Sequence, residues 1–141
     1  FDVTAVDISQ VGLDKIYDWS NKLGLTVETE LADLKAFRIR DFYDLIISNA
    51  TFHFLAKTHV RKIISQMKQQ TKIGGINGIS AFNKDNEIWM PYLFQKGELS
   101  KLYHDWDILE TKDFTFSDKH GKNGKIHYHA ISIVIAQKVD K

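Results

Sequence analysis

The stretch Tyr43–Leu55, YDLIISNATFHFL, restricts the possible folds more than any other part of the chain. Leu45, Ile46 and Ile47 form a short continuous apolar run, as expected of a strand with both faces buried. Ser48, Asn49 and Ala50 end it with small and polar side chains that let the backbone turn away from a sheet. In open α/β sheets, ligands bind just past the carboxyl ends of the strands. Ser48 to His53 is therefore the first place to look for chemistry.

The flanking segments fit the same architecture. Val3 to Ile8 reads as a buried strand closing on Asp7, and Ser9 can cap a helix whose apolar face is Val11, Ile16, Tyr17 and Leu23. Gly24 is placed to end that helix. Leu25 to Glu30 alternates like a strand nearer a sheet edge. A helix capped by Thr58 follows the central stretch, with Val60, Ile63, Ile64 and Met67 at i, i+3, i+4 and i+7. Gly74-Gly75 ends it, and Ile76 to Phe82 is the next strand. This rhythm predicts an α/β fold built from parallel crossover units. Beyond Phe82 come a loop with Trp89, Tyr92 and Phe94, a short helix over Gly97 to His104, and an antiparallel hairpin of Trp106 to Phe116 with Ile126 to Gln137. The three loop aromatics form either an apolar lid or part of the core.

With 141 residues, 43% of them hydrophobic, the chain is expected to be a single domain over 1–141. Nineteen basic residues against 18 acidic give a net charge of +1, so no global charge argument favours nucleic acid or anionic lipid. The absence of cysteine excludes a disulfide framework and suits a reducing cytosol. No apolar run approaches the ~20 residues a membrane span needs.

Asp7 and Asp33 stand after successive strands. A carboxylate at Asp7 can accept both hydroxyls of a ribose, or it can simply favour the start of the following helix through the dipole. Asp33 can accept from an adenine amino group, with Leu34 against the ring, or it is an ordinary loop acid. An acid after each of two strands and a small-polar turn after a third outline one edge of a nucleoside pocket. A nicotinamide-dependent oxidoreductase would use such an edge too.

With those residues in view, the chain resembles the class I S-adenosylmethionine-dependent methyltransferases, and within them the tellurite-resistance (TehB-like) group. FDVTAVDIS resembles the family's second strand with its ribose-binding acid, and YDLIISNATFHFL its fourth strand and turn. TKIGG resembles the element before the fifth strand, with Ile73 where proline is usual. FQKGELSKLYHDWDILE and GKIHYHAISIVIAQK resemble the C-terminal part of the tellurite group. The resemblance implies a Rossmann-like methyltransferase sheet, mostly parallel with a C-terminal antiparallel hairpin and helices on both faces. It implies S-adenosyl-L-methionine as cofactor and a small nucleophile, such as a tellurite or selenite oxyanion, as methyl acceptor. Asp7 then holds the ribose, with Ile8 beside the adenine that Asp33 and Leu34 contact. Asn49 and Ala50 lie along the methionine part, and His53 faces the methyl group. It also implies a central strand and a glycine-rich loop ahead of Phe1. The chain is thus expected to be N-terminally incomplete and, in this form, insecurely folded, inactive or a non-catalytic binding module.

The hairpin histidines admit two readings. Lys119, His120, His127 and His129 are the implied oxyanion ligands, while the residues alone also suit a half-exposed amphipathic strand. His127 and His129 share a strand face, but their spacing in the sequence supplies no acid or cysteine to complete a metal site. His53 either faces the substrate or packs between Phe52 and Phe54.

Overall fold

The computed structural model describes residues 1–119, 124 and 126–140. Two compact units, Phe1–Arg38 and Ile39–Lys141, are distinguishable.

The first unit is a strand–helix–strand crossover. Strand β1 (Thr4–Asp7) pairs in parallel with β2 (Glu28–Leu31), with Asp7 opposite Leu31. Helix α1 (Gln10–Lys22) joins them, and its N-cap is Ser9, whose Oγ accepts from the Gly12 N–H at 3.1 Å. Gly24 follows the helix at φ +67°, the left-handed conformation that ends helices. The expected helix face is not the buried one: Leu13 and Ser20 are buried, whereas Val11, Ile16, Tyr17 and Leu23 are exposed. The second strand also begins later than alternation indicates, because Leu25 turns back to bond with Ser20 O and pairing starts only at Glu28.

The second unit holds a four-stranded sheet in the order β3-β4-β6-β5, formed by β3 (Tyr43–Asn49), β4 (Thr71–Phe82), β5 (Asp107–Lys119) and β6 (Ile126–Gln137). β3 and β4 are parallel, whereas β4–β6 and β5–β6 are antiparallel. β3 lies at the edge of this four-stranded sheet, and Leu45 and Ile47, which share one of its faces, are exposed rather than buried, while Ile46 on the other face is half-buried. Helix α2 (Lys57–Gln70) buries Val60, Ile63, Ile64 and Met67, the face its spacing predicts. Its N-cap is Ala56, not Thr58, and no side chain caps it. The far end is capped from a distance: Lys138 Nζ donates to Lys68 O (2.8 Å) and Thr71 O (2.7 Å), oxygens the helix leaves unsatisfied.

β4 starts at once after α2, five residues before Ile76, and the extra residues form an irregularity between the Tyr43–Thr71 and Leu45–Ile76 pairs. A buried polar relay supports this corner. Asn77 Oδ1 lies 2.7 Å from Thr71 Oγ1, and Asn77 Nδ2 donates to Tyr103 Oη at 3.1 Å. Helix α3 (Glu98–Leu102) buries Leu99. Tyr92 and Phe94 belong to the core, while Trp89 is 81% exposed, so the loop aromatics divide between the two readings. Among the described residues, no helix is long and apolar enough to cross a membrane.

Candidate functional site

In the first unit, parallel pairing sets Asp7, the last residue of β1, and Asp33, two residues past the end of β2, at the carboxyl ends of adjacent strands. Asp7 Oδ1 accepts from the Ser9 N–H at 2.7 Å, and Asp7 O accepts from the Ala32 N–H at 2.9 Å. The carboxylate is exposed, and so is Ile8 beside it. Asp33 is half-buried and forms a tight turn: Oδ1 accepts from the Lys35 N–H at 2.9 Å, and its carbonyl accepts from Ala36 and Phe37. Leu34 is half-buried next to it. This edge offers two carboxylates and two apolar side chains at the end of a crossover, where an open sheet receives a nucleoside.

In the second unit, β3 ends at Asn49, and the chain leaves through Ala50 at φ 52°, a left-handed conformation uncommon for any residue but glycine. The Ala50 N–H donates to Ser80 O at 2.9 Å, and Thr51 Oγ1 donates to Asn49 O at 2.9 Å. The turn is therefore held open by two fixed bonds, with Asn49 and Ala50 exposed.

A 3-10 turn at Phe52–Phe54 then carries His53 inward, where it is 1% exposed. Its ring stacks on Phe82 at 4.0 Å and 13°, and Phe54 tilts against it at 4.4 Å. Phe52 is buried nearby, but the stacking partner is on β4. His53 Nδ1 is buried with no hydrogen-bond partner among the described residues. Burial, and then the neighbouring charge of His129, hold its pKa down at about 4, so the imidazole is neutral at physiological pH.

Phe82 extends the row. Its other stacking partner is His129, at 5.0 Å and 17°, and His129 Nε2 lies 2.9 Å from His127 Nε2. His53, Phe82, His129 and His127 thus form one line of rings from the β3 turn to the hairpin. The sequence singles out His53 on one side and the pair His127 and His129 on the other, and Phe82, which unites them, is legible there only as a strand residue. His129 is buried, with Nδ1 3.3 Å from Asn86 Oδ1. His127 is half-buried and pairs across the hairpin with Asp118. Asp118, His127 and His129 place their ligand atoms within 4.8 Å of one another. Spacing along the sequence offers no acid here; pairing across the hairpin does. Lys119 is exposed at the end of β5, and its N–H donates to Asp118 Oδ1 at 2.6 Å. His120 lies outside the described residues.

Known structures give this fold a class. It is the Rossmann-like α/β fold of methyltransferases. The N-methyltransferase NodS of Bradyrhizobium japonicum, solved in complex with S-adenosyl-L-homocysteine, superposes with a TM-score of 0.69 at 11% identity, over 99% of this chain and 67% of that one. The likeness to the crystal structure of TehB from Haemophilus influenzae is greater, with a TM-score of 0.88 and 30% identity over 98% of this chain and 50% of that chain. The family model described as "Tellurite resistance protein TehB" matches residues 1–131, and the chain belongs to that family. A probable S-adenosyl-L-methionine-dependent methyltransferase TehB of Haemophilus influenzae Rd is 33% identical over 114 residues, 78% of this chain and 40% of the relative. A protein of Eikenella corrodens named Hemagglutinin 1 is 32% identical over 117 residues, 80% of this chain and 39% of the relative. The chain thus spans about two fifths of the length of these curated relatives.

Proposed function

We propose that the chain belongs to the working part of a cytosolic S-adenosyl-L-methionine-dependent methyltransferase whose acceptor is a small oxyanion of tellurium or selenium. The observation that carries the cofactor part of this reading is the pair Asp7 and Asp33 at the carboxyl ends of two adjacent parallel strands. Family membership favours methyl transfer over the nicotinamide-dependent alternative.

In this reading Asp7 accepts from the two ribose hydroxyls, and Ile8 and Leu34 pack on the adenine whose amino group donates to Asp33. Asn49 and Ala50 give backbone groups to the methionine part. S-adenosylmethionine held there would supply an activated methyl group to a lone pair of the acceptor, with S-adenosylhomocysteine as the leaving product. The sulfonium is a good leaving group, so the protein's task is alignment and exclusion of water. A soft lone-pair nucleophile requires no strong base, and a buried His53 whose pKa is held at about 4 is a weak base, which suits an apolar wall near the methyl group rather than a proton acceptor. Lys119, His120, His127 and His129 supply cationic or donating groups for the oxyanion.

Steady-state kinetics on the intact protein test the acceptor. His127→Gln/His129→Gln should raise KM for tellurite and selenite by about tenfold or more, as loss of hydrogen bonds to a charged group implies. KM for a neutral thiol should stay unchanged. Equal losses on all three acceptors would make the hairpin structural, and no loss on any would remove it from the acceptor site.

A further inference from the structure

The hairpin histidines are also arranged as ligands. Residues 127 and 129 stand on one face of β6, and their Nε2 atoms meet at 2.9 Å. The orientation of His129 is fixed from behind. Asn86 Nδ2 donates to Ile88 O at 2.6 Å, which turns Asn86 Oδ1 toward His129 Nδ1 at 3.3 Å. An amide oxygen only accepts, so the proton of His129 sits on Nδ1 and the lone pair of Nε2 faces His127. A ligating histidine is held in this way by its outer partner. Phe82 and Phe116, with ring centroids at 5.0 and 5.3 Å, flank the same imidazole. Register brings Asp118 opposite His127, and the three ligand atoms lie within 4.8 Å of one another.

We propose that Asp118, His127 and His129 bind a divalent first-row transition-metal ion of the zinc type. Two imidazoles and a carboxylate suit such an ion, whereas magnesium and calcium favour oxygen ligands. Zinc–nitrogen bonds of ~2.0–2.1 Å in tetrahedral geometry separate two nitrogens by ~3.3 Å, so the rings need part only slightly. Three protein ligands leave a fourth position for water or for an anionic oxygen. With the ion bound, an oxyanion acceptor would meet the metal at that position in place of imidazole N–H groups, and the binding of the ion does not depend on methyl transfer.

The test is direct titration of the untagged, chelator-dialysed protein, with no activity readout. Zn²⁺ should bind with one equivalent by calorimetry, and Co²⁺ should bind with the visible absorption of a tetrahedral site. Mg²⁺ should give no response. Asn86→Ala should weaken Zn²⁺ by ~10–100-fold, the effect of losing an outer-shell partner. Asp118→Asn and His127→Gln should weaken it at least as much, with circular dichroism matching wild type. Two ligand variants are used so that the result stands if one misfolds. Wild-type affinity in the folded ligand variants, or no stoichiometric Zn²⁺ binding at all, would overturn the proposal.

Discussion

At the scale of the residue, His53 shows how burial sets a proton's cost. Its pKa of about 4 lies below the ~6.5 of an exposed imidazole, so between those values the unfolded chain holds more protons than the folded one. Stability should therefore rise with pH through that window and be lost as pH falls through it, by up to about 3 kcal/mol for this group. Urea unfolding of wild type and His53→Leu at pH 7 and pH 4.5 measures the difference. The variant should lose much less stability on acidification, and parallel losses would show that His53 does not carry the effect. Residue type together with a place after successive strands made His53, Asp7 and Asp33 worth singling out. It could not show that His53 stacks on Phe82, or that Ala50 takes a left-handed backbone, since both depend on where β3 meets β4. Asn86 and Asp118 escaped notice because their partners are distant in sequence.

Among elements, α2 and the hairpin strands were the most legible. Val60, Ile63, Ile64 and Met67 repeat at helical spacing, and β6 runs from Ile126 to Gln137 as its composition indicates. Helix α1 was misread because the bulkier apolar side chains lie on its exposed side while Leu13 and the smaller Ser20 are buried. The hairpin's register was hidden by the long polar segment between its strands, and with it the pairing of Asp118 to His127. TKIGG has a physical cause at Gly75. A Cβ there would lie 2.9 Å from both Asp44 O and Lys72 O, where backbone leaves no room. Gly75→Ala should destabilise the protein by about 1–3 kcal/mol, as overpacking of a tight site does. Chemical denaturation checks this, and an unchanged midpoint would mean the β3–β4 corner yields easily.

At the scale of the whole molecule, parallel pairing and a C-terminal antiparallel hairpin were both legible, because continuous apolar runs and turn signals are properties of the chain itself. Which strand lies at an edge is a property of the assembled sheet. β3 has a neighbour on one side only among the described residues, with Leu45 53% and Ile47 66% exposed. An apolar edge of this kind promotes strand-to-strand association. These 141 residues on their own should self-associate, and Ile47→Lys should reduce it in light scattering; a monomeric wild-type sample would contradict this. Cofactor binding rests most directly on Asp7. Calorimetry with S-adenosylhomocysteine on the intact protein should show Asp7→Ala binding weaker by about 1.5–3 kcal/mol, roughly 10–150-fold, if its carboxylate holds the ribose. Equal affinity in wild type and Asp7→Ala would show that this carboxylate does not hold the ribose.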